Sequence, residues 1–475
     1  MRKRNVILKS LLIALNISMI LTTVFVIKLC LDLPSREIAP MPSETVCLPL
    51  SSEEARPPKD TVPTATTAPE PVHVIATATV GAMGDLLMHE PIFSNEGNYN
   101  AAVQQEDGSY DFSTVFQYLA PYTSALDYAA INLETTLAGE DNGYAYHGYP
   151  LFNCPDEIVD GVKDAGFDML LTANNHSYDT GIVGFKRTLE VIRERGIEPL
   201  GTYASPAETK WHIQDVNGIK IGMLCYTWAS GVSHDGRPSL NSNMPLEETG
   251  ICNYFYSGNI SAFYEEMETY LAQMKAAGAE ATILYIHWGV EYVLSPTTVQ
   301  QSIAQALCNL GVDVIIGSHP HVVQTADLLS SEIDPTHKTV CMYSMGNAVS
   351  NQRQGNLSSI TTAHTEDGVV FSVKFEKYSD GTVYLAEADV LPTWVNMRKN
   401  SAGRTEYNIL PLDMEQMEQW PQMFQLDERA FSAAKDSYER TMNIVGSGLE
   451  QTQAYLAEEK QARELAYQQM EIIDP

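Results

Sequence analysis

Two histidines, His319 and His321, stand two residues apart after the apolar run Val312–Ile316 and a Gly317-Ser318 step. In extended backbone alternate side chains share one side of the chain, so this spacing predicts two imidazoles converging on one ion. Pro320 between them stiffens the loop and cannot continue a central strand. Five other loops carry similar groups after strand-like runs: Asp85 with His89, Asn132 with Glu134, Asn174-Asn175-His176 through Asp179, His287 with Glu291, and Asn347. Mixed imidazole, carboxylate and amide ligands suit Mn, Fe, Zn or Co better than Mg or Ca. They exceed what one tetrahedral ion uses, so two divalent transition-metal ions sharing a bridging carboxylate is the economical reading. Surplus groups would orient the ligands from behind.

Each piece has an ordinary structural reading when taken alone. Asp85 after Gly84 can be a turn residue, Glu134 a helix cap, Asn174-Asn175 a turn pair and His287 a satisfied core histidine. Five of the eleven histidines (89, 176, 287, 319 and 321) nevertheless sit just beyond strand-like runs. That coincidence of position favours a shared site.

The elements that must position these groups alternate along the chain. Strand patterns are expected at 72–80, 128–133, 167–172, 281–286, 312–316 and 338–344. Helices are expected at 112–126, 155–165, 181–195, 261–277 and 297–310. Asn217-Gly218 and Asp380-Gly381 mark hairpins over 212–227 and 368–390. From Leu426 the chain reads as helical, acidic and Gln-rich. Alternation first and hairpins later predict an α/β (α+β) fold, with helices on a mixed sheet or pair of sheets and a site where strand ends converge.

With 475 residues, one large domain plus appendages is expected. The 29 Lys+Arg stand against 60 Asp+Glu, a formal charge of −31. Phosphate backbones need clustered cations, so nucleic acid is excluded as a partner. Met1–Arg4 is basic and Leu11–Leu33 is almost wholly apolar, long enough to cross a bilayer. The flanking cations predict a cytoplasmic N-terminus and a body outside the cell membrane. The domain plan is therefore an anchor at 1–33, a Pro/Ser/Thr-rich tether at 34–72, a body at 73–395 and an acidic, mostly helical extension at 396–475. The seven cysteines show no CxxC spacing, although a disulfide using Cys154 or Cys252 is compatible with an extracellular body.

Gly84-Asp85, Asn132-Leu133-Glu134, Ala173–His176, His287–Tyr292, Gly317–His321 and Ser344–Asn347 occur in the order that resembles the bacterial CapA family. That is the capsule-synthesis, poly-γ-glutamate family, similar in turn to calcineurin-like metallophosphoesterases. The resemblance covers about residues 75–395. It implies a sandwich of two mixed β-sheets flanked by helices, with a dinuclear site. Asp85 and His321 would serve one ion, Asn175, His287 and His319 the other, and Glu134 both. His176 would be the general acid, oriented by Asp179. His89, Asn132, Asn174, Glu291 and Asn347 would be further ligands or supports. The chain departs from the phosphoesterase pattern in its Asp85/His89 start, in a glutamate at the bridge and in Asn174 where glycine is common. The resemblance implies a metal-dependent hydrolase of a phosphoester or an amide in capsule or poly-γ-glutamate synthesis. The alternative is a non-catalytic member of a polymer synthesis or export complex that uses the metal site for binding. Either way the partners would be the membrane, the polymer and other subunits of that complex.

Overall fold

A computed structural model describes residues 71–140, 143–234, 236–241, 244–245, 250–356 and 359–473. The membrane-spanning segment expected at 1–33, and the tether except its last two residues, lie outside them. Among the described residues, no helix is long and apolar enough to cross a membrane.

In chain order the strands are β1 (Val74–Leu86), β2 (Tyr128–Leu133), β3 (Met169–Leu171), β4 (Glu198–Leu200), β5 (His212–Val216) and β6 (Ile219–Trp228). Then come β7 (Gly231–Val232), β8 (Pro238–Leu240), β9 (Met244–Pro245), β10 (Tyr254–Phe255), β11 (Ala281–His287) and β12 (Val314–Ser318). The last six are β13 (Ala326–Ser330), β14 (Lys338–Met342), β15 (Asn347–Val349), β16 (Asp367–Tyr378), β17 (Val383–Lys399) and β18 (Thr405–Pro411). One eight-stranded sheet runs β18-β17-β16-β1-β2-β3-β4, with β15 also beside β1. A seven-stranded sheet runs β10-β6-β11-β12-β14-β13, with β5 beside β6. Both sheets mix parallel and antiparallel pairs. β7, β8 and β9 form a small third sheet.

The central strands are apolar on both faces, which suits strands covered on both sides. On β2, Tyr128 and Ala130 face one core while Ala129, Ile131 and Leu133 face another. On β11, Ala281, Ile283 and Tyr285 join the first core, whereas Leu284 and Ile286 join a third. The period of two thus divides each strand between the seam joining the sheets and an outer helical layer. Helices α1 (Ile158–Asp164) and α2 (Gly181–Glu194) cover the first sheet through Val162 and Ile192. Helices α3 (Ile260–Ala276) and α4 (Thr298–Asn309) cover the second through Met267 and Leu307.

The C-terminal helix α5 (Glu428–Ile473) packs on β17 and β13, so one element spans both sheets. Val445, Leu449 and Leu456 enter the seam core. A Cβ on Gly448 would lie 1.9 Å from the Ala326 carbonyl oxygen, so only glycine admits this approach.

Several expectations need correction. β1 does not stop at Val80 but runs through Gly81 and Gly84 to Leu86. Residues 112–126 form two single turns, Ser113–Phe116 and Ala120–Thr123, because Pro121 lacks the N–H that a continuous helix would need. The boundary at 395/396 falls inside β17, and β18 adds a further strand beyond it. Cys154 and Cys252 are buried free thiols.

Candidate metal centre

At the carboxyl end of β1 the ladder with β2 shifts register between Met83 and Asp85. Such an irregularity re-aims the side chain that follows it. Gly84 permits it, since a Cβ there would lie 1.8 Å from the Gly346 carbonyl oxygen. Asp85 then stands in register with Asn132 on β2 and Asn347 on β15. Asn132 Nδ2 donates to Asp85 Oδ1 at 2.7 Å, and Asn174 Nδ2 donates to Asn132 Oδ1 at 3.3 Å and to the Leu133 carbonyl at 2.8 Å. The two asparagines therefore fix the carboxylate from behind.

The second sheet supplies the imidazoles. His287 ends β11 in register with Ser318 of β12, and its Nδ1 lies 3.0 Å from Ser318 Oγ. Its Nε2 lies 2.7 Å from Asn175 Oδ1 and 3.1 Å from His319 Nδ1. His319 and His321 both belong to the centre, but they do not converge on one ion: His319 groups with Glu134 and His287, His321 with Asp85 and Glu134, and their backbone is not extended. Their φ values are +100° and +57°. Left-handed geometry at non-glycine residues costs about 1–3 kcal/mol each and clusters at functional sites. The loop is thus bent to aim both rings inward.

His321 Nδ1 sits 3.0 Å from Asp85 Oδ2 and 3.1 Å from Asn347 Oδ1. Asn347 is held in turn by donating to the carbonyls of His321 and Thr365, to Ser350 Oγ and to Gln352 Oε1. Two buried groups emerge, Glu134 with His287 and His319, and Asp85 with Glu134 and His321. Within each, the ligand atoms lie within 4.8 Å of one another. Glu134 belongs to both. Its carboxylate oxygens are buried and accept no hydrogen bond among the described residues.

The local electrostatics suit a cation. Burial would raise the Asp85 carboxyl, but His321, His287 and Asn132 outweigh it and hold it below its ordinary range. Burial would lower the His321 imidazole, but Glu134, Asp85 and Glu291 push it up to about 9. Burial, then the neighbouring His287, His321 and His176 rings, keep His319 well below its ordinary value. His319 is therefore neutral, the form that ligates metals. The orphaned Glu134 oxygens and this O/N donor set fit divalent transition-metal ions.

His176 lies beside this centre. Its Nδ1 is 2.7 Å from Asp179 Oδ2, which also accepts from the Phe152 N–H at 2.8 Å. Burial acts to lower its pKa, but Asp179 and Glu134 outweigh burial and raise it. His89 stands outside both ligand groups, packed edge-on against Phe152, with burial lowering it to about 4. Glu291 is exposed and also outside them. Ser318, Gln352 and Trp228, whose ring lies 5.7 Å from that of His319, were not singled out from sequence. Only cross-strand register could have indicated Ser318.

The chain matches the family described as bacterial capsule synthesis protein PGA_cap over residues 79–352, a span containing every residue of the centre. It is 28% identical over 274 residues to the PGA biosynthesis protein CapA of Bacillus subtilis (strain 168), covering 57% of this chain and 62% of that protein. It is 28% identical over 301 residues to the capsule biosynthesis protein CapA of Bacillus anthracis, covering 62% of this chain and 63% of that one. The chain thus spans less than two thirds of the length of either relative. A solved structure of the purple acid phosphatase PPD1 from yellow lupin (Lupinus luteus) seeds aligns at a TM-score of 0.27 and 11% identity, over 66% of this chain and 53% of that chain. The match over more than half of the chain places it in the bacterial capsule synthesis protein family PGA_cap.

Proposed function

We propose that this chain is a membrane-anchored, extracytoplasmic hydrolase, similar to metallophosphoesterases, that uses two divalent metal ions in capsule or poly-γ-glutamate synthesis. The single observation that carries the proposal is Glu134, a buried carboxylate without a hydrogen-bond partner that is common to two groups of candidate ligands. A buried carboxylate that accepts no hydrogen bond is costly, and bound cations would remove that cost. Asp85 and His321 would hold one ion, and Asn175, His287 and His319 the other. Such ions supply Lewis acidity and a water nucleophile at neutral pH. His176, held by Asp179, would deliver a proton to the leaving group of a phosphoester or an amide. The basic Met1–Arg4 and apolar Leu11–Leu33 support an anchor whose body faces outward. The polymer and other synthesis subunits would be its partners.

Elemental analysis of the purified full chain is the first test, and protein without bound metal refutes the proposal. Hydrolysis of phosphoester and γ-glutamyl amide substrates is then compared between the wild type and a His287→Ala/His319→Ala variant. Bound metal with no cleavage above that variant would support instead a binding component without turnover.

A further inference from the structure

Beside the centre lies a concave groove of about 510 Å³. Trp228, Phe255, Ile260, Tyr264, Val299 and Ile303 form most of its apolar wall. In a chain with 29 basic and 60 acidic residues, none of its lining residues is charged. The groove adjoins the centre at two points. Trp228 lines it and also packs against the His319 ring at 5.7 Å. Gly289 and Val290, which also line it, directly follow His287 and Trp288 in the loop after β11.

The junction holds an unpaired donor. Trp228 Nε1 is buried and finds no acceptor among the described residues. A buried donor left without a partner costs about 1–3 kcal/mol, and such an orphan marks a place where a ligand oxygen would be welcome. Ligand pockets are mostly apolar with a few placed polar groups, and here Ser257, Thr297, Thr298, Gln300 and Ser302 share the lining with the apolar wall.

We infer that the substrate is amphiphilic: an anionic ester head at the metal centre joined to an uncharged hydrocarbon chain that lies in this groove, with Trp228 at the join. The inference rests on the proposed metal-dependent reading and names its substrate class. A wholly polar substrate would leave the apolar wall wet, and each methylene buried there tightens binding by about fourfold.

A photoreactive dodecyl phosphate bearing a diazirine on its chain tests this with the full chain in detergent, against the matching dodecanol probe. Val290 and Val299 are 50% and 59% exposed, so a Val290→Asp/Val299→Asp variant changes the groove wall without disturbing a core. On metal-replete protein, the phosphate probe should label residues 255–264 or 288–303. Labelling should fall at least fivefold in the variant and with the alcohol, while metal content stays constant. Labelling elsewhere, labelling unaffected by the variant, or equal labelling by phosphate and alcohol would overturn the inference and leave the metal centre standing. Absence of bound metal, read separately by elemental analysis, would remove the centre and the inference with it.

Discussion

Glu134 concentrates the conflict between stability and function in a single side chain. Its two oxygens are buried and accept no hydrogen bond among the described residues, with His287 Nε2 at 3.5 Å and His321 Nδ1 at 3.9 Å as their imidazole neighbours. Missing hydrogen bonds of this kind cost about 1–3 kcal/mol in a metal-free fold. Glu134→Gln should therefore raise the urea midpoint of the chelated protein while removing metal from both positions. Loss of stability in the metal-free variant would show that the carboxylate is satisfied some other way. His321 makes an independent prediction. Its folded pKa of about 9 lies above the ordinary 6.5, so its contribution to the metal-free fold is full below 6.5 and is lost as pH rises through about 9. Asp85 is held low, so its contribution is present above its ordinary 3.8 and disappears as pH falls below that. A metal ion must displace the His321 proton. Calorimetry near pH 7 in buffers of different ionisation enthalpy should register release of roughly one proton for that ion, and His321→Asn should abolish it. Residue types at this scale were largely legible, because imidazoles and carboxylates after apolar runs are unusual. The left-handed φ of His319 and His321 was not, since nothing in Ser-His-Pro-His distinguishes a bent loop from an extended one. His89 and Glu291 share the same local pattern as the convergent residues, and only three-dimensional placement separates them.

Strand ends, rather than individual loops, are what make the site. Asp85, Asn132 and Asn347 are register neighbours across three strands, and His287 and Ser318 are neighbours across two. One glycine sets the register on the first side. Gly84→Ala places a Cβ 1.8 Å from the Gly346 carbonyl oxygen, and the Asp85 N–H bonds that same oxygen at 3.0 Å. The strand must separate from 345–347, at a cost of about 3 kcal/mol for such overpacking. Chemical denaturation should report that loss, and metal affinity should fall because Asp85 moves with the strand. Gly381→Ala, in an open hairpin turn, is the control: it costs stability through its φ of +87° but leaves metal affinity intact. Hairpins and the longer helices could be read from turn residues and hydrophobic period. The short strands β4, β10 and β15 could not, because two or three residues carry no period and owe their form to their neighbours.

At the scale of the whole molecule, α5 joins the far end of the chain to the centre. Asp367 is buried and accepts from Ser437 Oγ at 2.6 Å and from Arg440 at 2.7 and 2.8 Å. Burial pushes its carboxyl up, and the Arg440 guanidinium acts against that shift. Two residues earlier the Thr365 carbonyl accepts from Asn347 Nδ2 at 2.9 Å, and Asn347 Oδ1 holds His321 at 3.1 Å. The sequence left open whether the acidic terminus packs on the body, because a helix of mostly polar composition gives little sign of its partner. The structure resolves this through Val445, Leu449 and Leu456, and through Gly448 against β13. Arg440→Met should therefore act in two places. It strands a buried carboxylate, which costs about 3–5 kcal/mol, and by loosening 365–367 it weakens the support of His321. Lys460→Met breaks another ion pair of the same helix, between a partly exposed lysine and the buried Glu376 at 2.7 Å, and among the described residues no side-chain hydrogen bond links that pair to the ligands. Both variants should unfold at lower urea than the wild type, whereas only Arg440→Met should reduce metal affinity, by roughly tenfold as for other groups that support ligands from behind. Equal metal affinity in the two variants would mean that α5 stabilises the sandwich without positioning its centre.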